Sequence, residues 1–143
     1  MHIIKRSCEI KAYIVSKDER EAGLRAVLNY GHTIGHAIET VTGYTRYLHG
    51  EGVAIGMYLE ARLSQLLGLV DPDQVVRIKA LLESYGLPSE LPDDIDKNNV
   101  LLSMQLDKKT VAGKLKFILP EKMGKVRIET EIPEKAVIET LKA

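Results

Sequence analysis

Cysteine is nearly absent: Cys8 stands alone among 143 residues, so no disulfide can form within the chain and a buried core has to hold the fold. There is no tryptophan and a single phenylalanine, which argues against stacking platforms for nucleic-acid bases. Net charge is also missing, with 20 Lys plus Arg against 20 Asp plus Glu, and this excludes a generally basic nucleic-acid binder. No apolar run approaches the roughly 18–20 residues a membrane span needs; the best, residues 53–59, stops at Glu60. The opening residues, 1–7, lack the apolar core of a secretory signal, so a cytoplasmic protein without membrane or nucleic-acid partners is expected. What is present is ordinary globular composition, 45% hydrophobic and 28% charged, at a length suited to one domain over 1–143.

The periodicity predicts a mainly α, multi-helical domain with one small β-hairpin. Residues 3–15 are compatible with a helix. Ser16-Lys17-Asp18-Glu19 has the form of a capping box, which predicts a helix starting near Lys17 and carrying Glu21, Leu24, Arg25 and Leu28. Ile34, Ala37, Ile38 and Val41 share a helical face over 33–41, with Gly43 suited to end it. A long apolar helix follows over 50–67. Its Gly52 and Gly56 lie on one face and invite close approach of another backbone. Asp71-Pro72 opens a helix that Gly86-Leu87-Pro88 closes. A further helix is expected over 96–106, a hairpin around residues 121–124, and a last helix from Pro133 to Leu141.

Three of the four histidines, His32, His36 and His49, fall within eighteen positions, each beside a glycine. His32 and His36 are four apart and share a helical face, a recurrent metal-ligand arrangement, and Glu51 adds a nearby carboxylate. Thr33 occupies the place where a zincin has its glutamate, which disfavours peptidase chemistry. Residues 104–127 hold seven basic groups against Asp107 and Glu121, for the most part a solvated face. Lys108 and Lys109, placed after a helix end, differ: with Lys11 and Arg25 they have the chemistry to gather around a phosphate or carboxylate.

The ordered blocks Lys11-Ala12, residues 18–25, residues 28–39 with their Gly-His-x-x-Gly-His element, residues 49–57, and Asp107-Lys108-Lys109 before Gly113 resemble 3-dehydroquinate synthase. The resemblance is to the C-terminal, helical metal-binding half of that family. It implies an NAD-binding domain N-terminal to this one, of which the chain shows no Gly-rich strand-turn-helix, and it places the family's acidic metal ligand ahead of the stretch covered.

Position by position, the resemblance implies that His32 and His49 are metal ligands, although spacing alone pairs His32 with His36. It implies that His36 is an active-site histidine that does not ligate. Lys11, Arg25, Asn29 and one of Lys108 and Lys109 would contact substrate. The implied cofactors are a divalent metal, zinc or alternatively cobalt, and NAD. The implied reaction is cyclisation of an anionic seven-carbon keto-acid sugar phosphate to 3-dehydroquinate with loss of phosphate, a step of the shikimate route to aromatic amino acids. Partners would be that substrate and the NAD-binding domain, with a homodimer as an allowed assembly. Alternatives are another sugar-phosphate cyclase, a metal-dependent alcohol dehydrogenase, or a non-catalytic helical fragment. On its own the chain is expected to be inactive.

Overall fold

A computed structural model describes residues 2–19, 23–110 and 115–142, the side chains of 107–110 excepted. The element order is α1 (His2–Lys17), a 3-10 helix (Leu24–Asn29), α2 (His32–Val41), α3 (His49–Leu66), α4 (Pro72–Ser84), α5 (Lys97–Thr110), β1 (Phe117–Lys122), β2 (Lys125–Glu129) and α6 (Glu134–Leu141). The mainly helical reading with one hairpin is thus met among the described residues.

Helix α3 is the axis of the fold. It packs against α2, α4, α6 and β1, and buries Ile55, Leu59 and Leu63 completely. Its apolar positions run almost all the way round, as expected of a helix with neighbours on several sides. Helix α2 contributes Ile34 and Ile38, α5 Val100 and Met104, β1 Phe117 and Leu119, and α6 Leu141. Strand β1 is buried continuously over its first four residues because α3 covers it, so its sequence reads as an apolar run rather than an alternation. It pairs antiparallel with β2, Phe117 opposite Glu129 and Pro120 opposite Val126. The Ser64 hydroxyl of α3 donates to the Pro120 carbonyl, and the Thr33 hydroxyl of α2 donates to the Lys116 carbonyl at 2.7 Å. These two bonds seat the hairpin on the helical layer. On the hairpin surface Lys125 and Arg127 pair with Glu121, so this part of the cationic segment is a solvated, partly neutralised face.

The capping-box expectation at Ser16 fails. Helix α1 runs through Ser16 to Lys17, and the Ser16 hydroxyl bonds back to the Tyr13 carbonyl, three residues earlier. A hydroxyl already engaged inside one helix cannot cap the next. The acceptor that organises the following turn is Asp18, whose Oδ2 takes the N–H groups of Gly23 and Arg25 at 2.8 and 2.9 Å. Residues 20–22, including the expected helical Glu21, lie outside the described residues, and 24–29 form the 3-10 helix rather than an α-helix.

Helix α5 also differs: it continues to Thr110, so Lys108 and Lys109 sit in its last turn and do not follow its end. Helix α2 ends as the sequence suggests. Gly43 takes a left-handed φ of 62° and its N–H donates to the Thr40 carbonyl, while the Tyr44 N–H donates to the Glu39 carbonyl, completing a Schellman closure.

Candidate metal and substrate site

The polypeptide places His32 at the first position of α2, His36 one turn later, and His49 at the first position of α3. Two helices joined by a short loop therefore present three imidazoles to one point. Their ring centroids are 5.3 to 5.7 Å apart, and one ring nitrogen from each lies within 4.8 Å of the other two. Among the described residues no other cluster of histidine, cysteine and acidic groups has this geometry.

The packing that creates it rests on glycines. Gly31 precedes α2 with φ of 82°, and α3 crosses so closely that a Cβ on Gly56 would stand 2.0 Å from the Gly31 carbonyl oxygen. Gly52 leaves the room that the Glu39 side chain fills, its own absent Cβ lying 3.2 Å from Glu39 Cγ.

The three rings differ in how they are held. His32 Nδ1 lies 3.3 Å from the Tyr30 carbonyl oxygen, an atom that can only accept, so Nδ1 carries the proton and Nε2 its lone pair. His49 Nδ1 lies 3.0 Å from Oε1 of Glu39, which is only 6% exposed. That is the carboxylate-histidine pairing that fixes tautomer and ring direction in metal sites. His36 is exposed and has no hydrogen bond to its ring among the described residues. Burial holds the His32 imidazolium below its ordinary range, and the neighbouring His36 and His49 add to this, so the ring is neutral and basic toward a cation near neutral pH.

His36, His49 and Glu39 line one side of a cleft of about 660 Å³, and Ser103, Met104 and Leu106 of α5 line the other. Lys108 and Lys109 follow on α5, but their side chains lie outside the described residues. Of the other expected substrate contacts, Lys11 is on the exposed helix α1, Arg25 directs its guanidinium at the Glu19 carbonyl at 3.0 Å, and Asn29 closes the 3-10 helix. None of these three lines the histidine cleft. Glu51, the carboxylate expected beside the histidines, instead accepts the Leu48 N–H at 2.8 Å and caps α3.

Sequence reasoning missed two buried acids, Glu39 and Glu60. Glu39 follows His36 by three positions, and Glu60 interrupts the apolar helix one turn after Gly56, which is the only signal either leaves in the sequence. Glu60 is fully buried, accepts the Gly31 N–H at 2.8 Å through Oε2, and has no partner for Oε1 among the described residues. Burial pushes its carboxyl up to about 8, against the opposing N–H groups of Gly31, Ile34 and Thr33. A carboxyl that is neutral when folded and ionised when unfolded stabilises the fold fully below its unfolded pKa, and that contribution is lost as pH rises through about 8. Glu60→Gln removes this titration. The variant's stability relative to wild type should therefore rise from pH 5 to pH 9 by up to a few kcal/mol, read from urea midpoints. A constant difference across that range would contradict the neutral carboxyl.

The fold recurs in solved synthases. A 2-epi-5-epi-valiolone synthase from Streptomyces hygroscopicus, solved with NAD+ and Zn2+ bound, superposes with a TM-score of 0.85 at 20% identity over 99% of this chain and 39% of that one. A 2-deoxy-scyllo-inosose synthase complexed with carbaglucose-6-phosphate, NAD+ and Co2+ gives 0.80 at 25% identity over 92% of this chain and 37% of that one. The chain thus shares the architecture of a corresponding part of these two synthases.

Within that class the sequence is more particular. Residues 1–110 match the family described as 3-dehydroquinate synthase C-terminal, and the chain belongs to that family. It is 55% identical over 130 residues to the 3-dehydroquinate synthase of Thermodesulfovibrio yellowstonii, covering 91% of this chain and 36% of that protein. It is 50% identical over 141 residues to that of a Synechococcus strain, covering 99% and 38%. The chain spans well under half the length of the curated relatives it matches. No helix among the described residues is long and apolar enough to cross a membrane.

Proposed function

We propose that this chain supplies the metal- and substrate-binding part of a 3-dehydroquinate synthase, acting with an NAD-binding part that corresponds to the remainder of its longer relatives. The observation that carries this reading is the unequal tethering of three converging histidines. His32 and His49 both have Nδ1 engaged by an acceptor, which leaves each Nε2 free to hold a cation. His36, exposed in the same cleft with its ring unengaged, is left to move protons. The donor set suits zinc or cobalt, since neutral imidazoles bind borderline cations well.

A bound metal would supply Lewis acidity toward a substrate hydroxyl, and NAD would supply a hydride acceptor. The chain's own work is then threefold. His32 and His49 hold the cation in a fixed place, with Glu39 orienting His49 through Nδ1. His36 takes and returns the proton of the substrate hydroxyl at a ring nitrogen. Basic side chains hold the substrate's phosphate and carboxylate, Lys108 and Lys109 being the candidates nearest the cleft along α5, with Lys11, Arg25 and Asn29 proposed on resemblance. The higher identity to 3-dehydroquinate synthases than to the solved valiolone and inosose synthases favours the carboxylate-bearing substrate over related sugar phosphates.

The test is a chimaera. Fused behind the N-terminal segment of the Thermodesulfovibrio relative, the chain should release inorganic phosphate from the seven-carbon keto-acid sugar phosphate in the presence of NAD and zinc. The chain alone should release none above background. A chimaera that folds and binds NAD but leaves the substrate intact would refute the reading.

A further inference from the structure

We infer that Glu60 is a positioning residue for His32, holding the Tyr30-Gly31 peptide from beneath so that the Tyr30 carbonyl stays on His32 Nδ1. The inference rests on the reading of His32 as a metal-holding histidine, but its geometry stands apart from that reading.

Glu60 lies on α3, one turn after Gly56, where α3 and the start of α2 are in closest approach. It is 0% exposed, and its Oε2 accepts the N–H of Gly31, the residue whose left-handed φ turns the chain into α2. The Gly31 N–H and the Tyr30 carbonyl belong to one peptide plane. Anchoring the N–H therefore fixes where the carbonyl points, and the carbonyl is the acceptor for His32 Nδ1 at 3.3 Å. The Tyr30 hydroxyl pins the other side of the same residue by donating to the Met57 carbonyl at 2.7 Å, also on α3. Gly31 is the residue just before α2, so Glu60 caps the entry to that helix from another helix.

Burying this carboxyl is costly, since Oε1 lacks a partner among the described residues, and the one hydrogen bond the side chain makes among them is the one from Gly31. The parallel with the second ligand is close: Glu39 orients His49 by direct contact, and Glu60 orients His32 through one peptide group. Gln keeps an oxygen acceptor at the same reach, whereas Ala and Met do not.

The experiment uses the full chain, wild type and Glu60→Gln, Glu60→Ala and Glu60→Met, with two readouts at pH 7. One is cobalt affinity by calorimetry. The other, in the metal-free chain, is the tautomer of each imidazole from long-range proton–nitrogen correlation. Wild type and Glu60→Gln should show His32 protonated at Nδ1 and should bind cobalt within about threefold of one another. Glu60→Ala should mix the His32 tautomers, leave the His49 tautomer unchanged, and weaken cobalt binding by about tenfold or more, the scale of an outer-shell partner. If Glu60→Ala does not fold, Glu60→Met fills the volume without a strong acceptor and takes its place. A folded Ala or Met variant that keeps the His32 tautomer overturns the proposal, as does one that disturbs His32 and His49 alike. The wild-type chain gives an independent check, since a Gly31 amide exchanging as fast as an exposed loop amide also overturns it. His32→Ala separates the two readings: unchanged cobalt affinity there would refute the metal assignment, while the tautomer readout still decides the role of Glu60.

Discussion

Gly56→Ala should abolish cooperative folding, or leave a chain with its urea midpoint near zero. The added Cβ would stand 2.0 Å from the Gly31 carbonyl oxygen, 2.8 Å from the Gly35 nitrogen and 2.9 Å from the Gly31 carbonyl carbon. All three are backbone atoms, so no side-chain rotation relieves the clash, and α2 as a whole would have to move away from α3. That interface holds Ile34, Ile38, Ile55 and Leu59, all fully buried. Separating the helices by even an ångström forfeits much of their dispersion contact and leaves space too small for water. A loss beyond about 4–5 kcal/mol is expected, against a total stability on the order of 5–15 kcal/mol. Gly43→Ala sets the scale for an ordinary cost. Gly43 has nothing within 4 Å of its absent Cβ and only a left-handed φ to lose, so a cost of about 1 kcal/mol is expected. Urea unfolding followed by far-UV circular dichroism distinguishes the two. Equal midpoints for the two variants would show that α2 and α3 approach less closely than described.

His49→Ala should weaken zinc or cobalt binding by more than about a hundredfold. Outer-shell partners alone are worth about ten- to a hundredfold, and a ligand exceeds its own support. Glu39→Gln should cost about tenfold, since the amide oxygen still accepts from Nδ1 but without charge. His36→Ala should change affinity little, because this ring lacks the tether that the other two share. Calorimetric titration of the folded variants gives the order directly. A loss for His36→Ala matching that for His49→Ala would make His36 the third ligand and remove it from proton transfer.

Elements whose limits are set by local chemistry are legible in the sequence. Asp71-Pro72 opens α4 and Gly43 closes α2, because capping geometry needs only neighbouring residues. The hairpin was legible because β-branched and apolar runs flank Gly124, which turns with φ of 78°. The Ser16 capping box misled for the converse reason: the pattern is local, yet whether a serine caps or bonds backwards depends on where the preceding helix stops. The end of α5 was read four residues short, at Leu106 rather than Thr110, since no glycine or proline marks it. The convergence of three histidines was visible from their order and glycine neighbours. Their inequality was open from spacing, which pairs His32 with His36, and was implied only by the family resemblance; its physical cause, the contacts of His49 with Glu39 and of His32 with the Tyr30 carbonyl, is a product of tertiary packing. An acid in a helical sequence reads as solvent-facing until the neighbour that covers it is known.

All three imidazoles, the carboxylate behind His49 and the carboxyl beneath Gly31 lie between residues 31 and 60, on two consecutive helices and the turn that joins them. Contacts at so short a sequence separation close small loops, so they form early and at low entropic cost. The hairpin and α6, by contrast, reach α3 only after a long return of the chain. The histidine cluster is thus built on one local helical pair, which α4, α5, α6 and the hairpin then pack around.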